Sequence, residues 1–141
     1  MDIRSNKETG LLGEKIAEEY LKRKGFKILD TNHRTGPGEI DIVAQKVSLI
    51  VFVEVKTRSS DLYGKPGESI DFAKIDRIRR AALVYLNKRK SRGRSVIRFD
   101  VISLEIDKKI IGDLVKKNIE NRILITMYED YSNLEHIEDA F

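Results

Sequence analysis

The stretch Glu39-Ile-Asp-Ile-Val-Ala-Gln-Lys-Val-Ser-Leu-Ile-Val-Phe-Val-Glu-Val-Lys-Thr-Arg58 decides how this chain folds. Its first part alternates Ile40, Ile42 and Ala44 against Glu39, Asp41 and Val43, which puts two carboxylates on one face of a strand. Its second part, Leu49 to Thr57, is almost continuously apolar and rich in β-branched residues, the pattern of a strand buried on both faces. Glu54 and Lys56 interrupt that run two residues apart and share a face. The connection is short, so the strands form an antiparallel hairpin. With the turn centred between Val47 and Ser48, Lys46 pairs with Leu49, Asp41 stands across from Glu54, and Glu39 across from Lys56. Opposed side chains lie about 5 Å apart at Cβ. Two carboxylates that close repel unless a cation sits between them. The weak point is the turn, since Val47-Ser48 lacks the Gly or Asn that tight hairpins prefer.

Charges on strands often form only a solvated face or a plain ion pair. Two details favour chemistry here. The charges interrupt an apolar run, where unpaired burial is expensive. They also come as acid, acid and base at one level of a hairpin.

Working outward, Ser5 to Glu8 has capping-box spacing, which starts a helix near Asn6. Leu12, Ile16 and Tyr20, joined by Leu11, Ala17 and Leu21, make its apolar stripe, and Gly25 ends it. Glu14 lies on the shoulder of that stripe, where a carboxylate can reach inward or simply mark the boundary. Phe26 to Leu29 reads as a short strand, and Asn32 to Gly38 as a loop dense in turn formers. Arg34 in that loop is close enough in sequence to Glu39 and Asp41 to balance them or to bind a phosphate. His33 and His136 are the only histidines; neither has a partner at ligand spacing. A polar loop follows Arg58. Asp71 to about Ser91 is a second helix, with Ile75, Ile78, Ala82, Tyr85 and Leu86 buried and Lys74, Arg77, Arg80 and Lys88 on other faces. Ser95 to Ile106 is a further strand, with Arg98 and Asp100 on one side of it. Beyond Asp107 the pattern weakens to a helix over 110–121, a strand over 122–128 and a short strand from Leu134 to Phe141.

The 141 residues suit one domain over 1–141, its core at about 5–106 and a C-terminal extension over 107–141. Hydrophobic content of 40% with 35% charged residues marks a globular chain. No cysteine is present. Disulfides and thiolate-zinc sites are thereby excluded, and the reducing cytoplasm is the expected location. Met1 to Gly10 has no signal-peptide core, and no apolar run is long enough to cross a bilayer, so no membrane partner is expected. The net charge of +4 is unevenly spread: residues 74–98 carry ten basic side chains and one acidic, residues 99–141 five basic and ten acidic. The basic block is either a footprint for a polyanion or a solvated helix face.

Five motifs in order, Gly10-Leu-Leu-Gly13-Glu14, Asn32-His-Arg34, Gly38-Glu-Ile-Asp-Ile-Val-Ala44, Val51-Phe-Val-Glu-Val-Lys-Thr-Arg58 and Arg98-Phe-Asp-Val-Ile102, resemble the YraN-like family of bacterial proteins. His136-Ile-Glu-Asp-Ala-Phe141 echoes the family's usual ending, while residues 107–133 are longer than its pattern. The family is similar to the restriction-endonuclease-like superfamily, whose signature is an Asp followed by Glu/Asp-x-Lys; Asp41 and Glu54-Val55-Lys56 fit it, although Ile40 stands where a Pro is usual. The resemblance implies an α/β, restriction-endonuclease-like fold, a central mixed β-sheet flanked by α-helices. It implies Mg²⁺ or Mn²⁺ on Asp41, Glu54 and the Val55 backbone carbonyl. Lys56 would position the nucleophile or stabilise the pentacovalent state. Glu14 matches a first-helix glutamate of similar archaeal Holliday-junction resolvases and joins the catalytic group. Arg34, Arg58, Lys74 and Arg77 are the expected substrate-binding cations, and a homodimer is the analogous assembly.

Three functions compete: a metal-dependent endonuclease acting on DNA, branched or structured DNA among the candidate substrates; a nucleic-acid-binding protein that keeps the fold without turnover; and an assembly factor using its basic helix and acidic tail as docking surfaces. An intact Asp, Glu and Lys favours the first. DNA is preferred to RNA by the same resemblance.

Overall fold

The computed structural model describes residues 3–59, 72–89, 95–106 and 133–141. It builds α1 (Ile3–Arg23), β1 (Lys27–Arg34), β2 (Glu39–Lys46), β3 (Leu49–Ser59), α2 (Phe72–Arg89), β4 (Val96–Ile106) and β5 (Leu134–Ile137). The five strands form one sheet in the order β1-β2-β3-β4-β5. β3 and β4 run parallel while the other neighbours are antiparallel, so the sheet is mixed. A parallel pair needs a crossover, and α2 lies within it. The architecture is α/β, as the restriction-endonuclease-like arrangement requires.

Each face of the sheet buries its own core. On one, Ile16, Ala17, Tyr20 and Leu21 of α1 pack on Ile42, Ala44, Val51, Val53, Ile102 and Leu104. On the other, Ala81 and Ala82 of α2 pack on Ile40, Val43, Ile50 and Phe52. β3 is buried from both sides from Ile50 to Glu54, as its continuous apolar run demands.

α1 ends in a Schellman motif. The Gly25 N–H donates to the Lys22 carbonyl at 3.0 Å and the Phe26 N–H to the Leu21 carbonyl at 3.0 Å, with Gly25 at φ 95°. The helix begins at Ile3, ahead of the start expected near Asn6. The hairpin turn falls where expected: Lys46 pairs with Leu49. Val47 supplies the required backbone at φ 56°, although a β-branched residue rarely adopts it. The strand expected over 26–29 runs on to Arg34. Asn32 and His33, expected in a loop, are strand residues; Asn32 stays in the sheet at φ 49°, a conformation asparagine tolerates better than most residues.

The final segment folds back on β4. β5 pairs with Val101 to Leu104, the Ala140 N–H donates to the Phe99 carbonyl at 2.7 Å, and the Phe141 ring stacks on Phe99. The strand expected over 134–141 therefore stops at Ile137 and gives way to a turn. The helix and strand expected within 107–133, and the polar loop over 60–70, lie outside the described residues. No described helix is long and apolar enough to cross a membrane.

Candidate functional site

The site lies where β2 parts from β3. Ladder pairs run from Lys46 with Leu49 to Ile42 with Val53. One step further the main chains no longer bond as expected. Instead the Val55 N–H donates to Asp41 Oδ2 at 2.8 Å. Alternation also breaks there: Ile40 packs with Val43 on the α2 side, not with Ile42 on the α1 side. Asp41 is thus turned into the gap between the strands, and neither expected ladder opposition, Asp41 to Glu54 or Glu39 to Lys56, is part of the hairpin's register, which ends at Ile42 and Val53. The N–H and C=O of one strand residue face the same way, so the Val55 carbonyl also faces this fork.

Asp41 and Glu54 nevertheless meet. Burial drives the Asp41 carboxyl up to about 8. The charge of Glu54 adds to the shift, Glu14 adds a smaller push, and the bond from Val55 opposes it. A side-chain interaction with Glu54 pushes the Asp41 carboxyl the same way. Glu54 is itself buried at 7% exposure on an otherwise apolar strand, and its Oε1 lies 2.6 Å from Lys74 Nζ of α2.

Glu14 arrives from α1. That helix lies hard against β3 because residue 13 is glycine: a Cβ there would fall 1.8 Å from Thr57 Oγ1. Burial raises the Glu14 carboxyl; a hydrogen bond from Asn32 opposes this, and the charges of Glu39, Glu54 and Glu18 add to it. Its Oε2 is buried with no hydrogen-bond partner, an unsatisfied acceptor beside the fork. Asn32 was not singled out as a site residue in the sequence. It lies between Thr31 and His33, which pair with Ile42 and Ile40, and so flanks Asp41 on the β1 side.

The remaining cations divide. Lys56 and Arg58 follow Glu54 at two-residue steps along β3 and share its face; both are half-buried. Arg77 is exposed, its Cβ and backbone packed near Gly38 at the entry to β2, where an added Cβ would meet it at 3.3 Å. Arg34 points outward with 85% of its side chain exposed and approaches Glu39 only to 4.0 Å. Lys74, expected to bind substrate, is ion-paired to a site carboxylate, Glu54. A groove of about 610 Å³ opens elsewhere, between α1 and β1, and its lining contains none of these residues.

The chain belongs to Uncharacterised protein family UPF0102, whose model matches residues 13–104. A UPF0102 protein of Alkaliphilus oremlandii is 48% identical over 105 residues, 74% of this chain and 90% of that protein. One from Syntrophomonas wolfei is 46% identical over 102 residues, 72% of this chain and 88% of its own length. The UPF0102 protein of Clostridium tetani is 39% identical over 136 residues, 96% of this chain and 95% of its own length. The family model ends at residue 104 and the first two relatives cover under three quarters of this chain, as a stretch longer than the family pattern requires, while the alignment with the Clostridium tetani protein spans nearly the whole chain. The five sequence motifs fall within or beside the matched region, and Gly13, Asp41, Glu54, Lys56 and Thr57 of the fork all lie inside it.

The donor set of this UPF0102 fork suits a hard divalent cation. A half-buried and a buried carboxyl crowded at the fork would be relieved by such an ion, and the orphaned Glu14 Oε2 offers a further oxygen. Among the described residues no group of three or more His, Cys, Asp or Glu forms a ready cage. Two carboxylates, a backbone carbonyl and retained waters are a combination that Mg²⁺ accepts.

Proposed function

We propose that this chain is a metal-dependent endonuclease that hydrolyses phosphodiester bonds in DNA, branched or structured DNA among its candidate substrates, and that it works in the cytoplasm. The observation that carries the reading is the meeting of Asp41 and the buried Glu54 at the strand fork, where burial and the charge of Glu54 push the Asp41 carboxyl up to about 8. Asp41, Glu54 and the Val55 carbonyl would hold Mg²⁺ or Mn²⁺. Bound there, the ion would neutralise charge on the scissile phosphate and acidify a water.

The chain's own side chains supply the rest. Lys56, on the face of Glu54, places a positive charge where negative charge develops. Glu14, oriented by Asn32, presents its unsatisfied Oε2 to a water at the fork. Arg58 and Arg77 grip phosphates on either side, contacts that carry affinity but no sequence information. Arg34, fully in solvent at the mouth of β2, reaches only a longer stretch of backbone.

A second reading draws on one observation. Lys74 already neutralises Glu54, which suits a nucleic-acid-binding protein without turnover. Incubating the protein with supercoiled and four-way DNA in Mg²⁺ separates the two. Cleavage that Asp41→Ala abolishes is the expected result. Binding that weakens steeply with salt, without cleavage, supports the second reading.

A further inference from the structure

Lys74 is the third residue of α2, and its ammonium lies 2.6 Å from Glu54 Oε1, at the short end of charge-assisted bonds. The two partners are unequal. Glu54 has 9% of its side chain exposed and Lys74 40%. The carboxylate is fixed in the sheet, whereas the ammonium reaches it from the solvent side on a flexible four-carbon stem. The backbone beneath that stem does not depend on the ion pair. α2 is anchored further along by Ile78, Ala81 and Ala82, and by the close approach of Arg77 to Gly38.

Glu54 is also the carboxylate that crowds Asp41. A monovalent ammonium therefore occupies an oxygen that a divalent ion would need. We propose that Lys74 is a resident surrogate cation: it keeps Glu54 aimed into the fork while no divalent ion is bound, and it competes with the incoming ion for Glu54 Oε1. Lys74 is then a positioning residue that sets metal affinity. The inference rests on the metal reading above, and it reconciles that reading with the ion pair that speaks against it.

The test is calorimetric titration of the full chain with Mn²⁺, with no nucleic acid and no assay of cleavage. Lys74→Met removes the charge and keeps the stem. Lys74→Gln, a second neutral variant, guards against a folding defect peculiar to Met, and Lys74→Arg keeps the charge. Both neutral variants are expected to bind Mn²⁺ about tenfold more tightly than the wild type, since a like charge is removed at contact distance. Lys74→Arg is expected to stay near wild type or weaker, and adding Asp41→Asn to Lys74→Met is expected to abolish the gain. Neutral variants that bind Mn²⁺ no better than the wild type would overturn the surrogate role and leave the metal site standing. A gain that survives Asp41→Asn would overturn it too, because the ion would then sit elsewhere. Absence of Mn²⁺ binding in every variant would bring down the metal reading itself, and this inference with it.

Discussion

Asp41 shows what burial does to a single side chain. Its carboxyl titrates near 8 in the folded chain against 3.8 in the open one. Between those values the folded state keeps a proton that the unfolded state releases, so stability falls as pH rises from about 4 through 8. Below 3.8 both states are protonated and the cost vanishes. Asp41→Asn keeps an oxygen for the Val55 N–H and never ionises. In metal-free protein it is expected to melt close to wild type near pH 4 and clearly above it near pH 8.5; thermal melts followed by circular dichroism check this. That Asp41 and Glu54 lie near one another was legible in the sequence, because the turn fixes the register up to Ile42 and Val53; that the strands part there and Asp41 turns into the gap was not. Asn32 and Lys74 were not legible as partners of these acids. They come from β1 and α2, and no local pattern shows which residues of other elements converge on a strand end.

At the scale of the element, α1 reaches the site through one glycine. In sequence, Gly13 belonged to a motif within a helical stripe and carried no spatial meaning. In the fold it is the contact with Thr57, forty-four residues on, and it sets the depth of the whole helix. Gly13→Ala places a methyl group inside Thr57 Oγ1, and overpacking of this kind costs about 1–3 kcal/mol, even though alanine is the better helix former. Urea unfolding is expected to show that loss. Thr57→Ala in the same chain is expected to recover part of it, since the Oγ1 contact goes while the Cβ contact at 2.7 Å remains. Additive losses in the double mutant would mean that the two residues do not touch.

Across the whole molecule, Asp100 ties the C-terminal strand to the rest. It is completely buried and accepts from Arg98 Nε and Nη2 at 2.8 Å each, from His136 Nε2 at 2.7 Å and from the Asp139 N–H at 3.0 Å. An ionised carboxylate only accepts, so His136 donates from Nε2, and in the neutral ring Nδ1 accepts the Tyr20 hydroxyl of α1 at 3.0 Å. Burial alone would raise the Asp100 carboxyl, but the bonds from His136, Arg98 and Asp139 hold it below the usual 3.8. The stability it supplies is complete above that value and is lost as pH falls through the lower folded one. Asp100→Asn breaks a buried charged network and is expected to cost about 3–5 kcal/mol at pH 7, with the gap to wild type closing in acid. Urea midpoints at the two pH values measure it. Hydrogen exchange should open first in Leu134–Ile137, the strand that the network docks.

The sequence by itself determined the strands of the hairpin, their turn and register, and the approach of Asp41 to Glu54. Each follows from periodicity or a short connection, which are local properties of a chain. Only the tertiary structure decided that β2 leaves β3 at Asp41, that Asn32 serves Glu14, that Lys74 sits on Glu54 and that Asp100 gathers His136 and Asp139 from the C-terminal segment. Those contacts join residues far apart in sequence, and burial, not spacing, selects which polar groups must find one another.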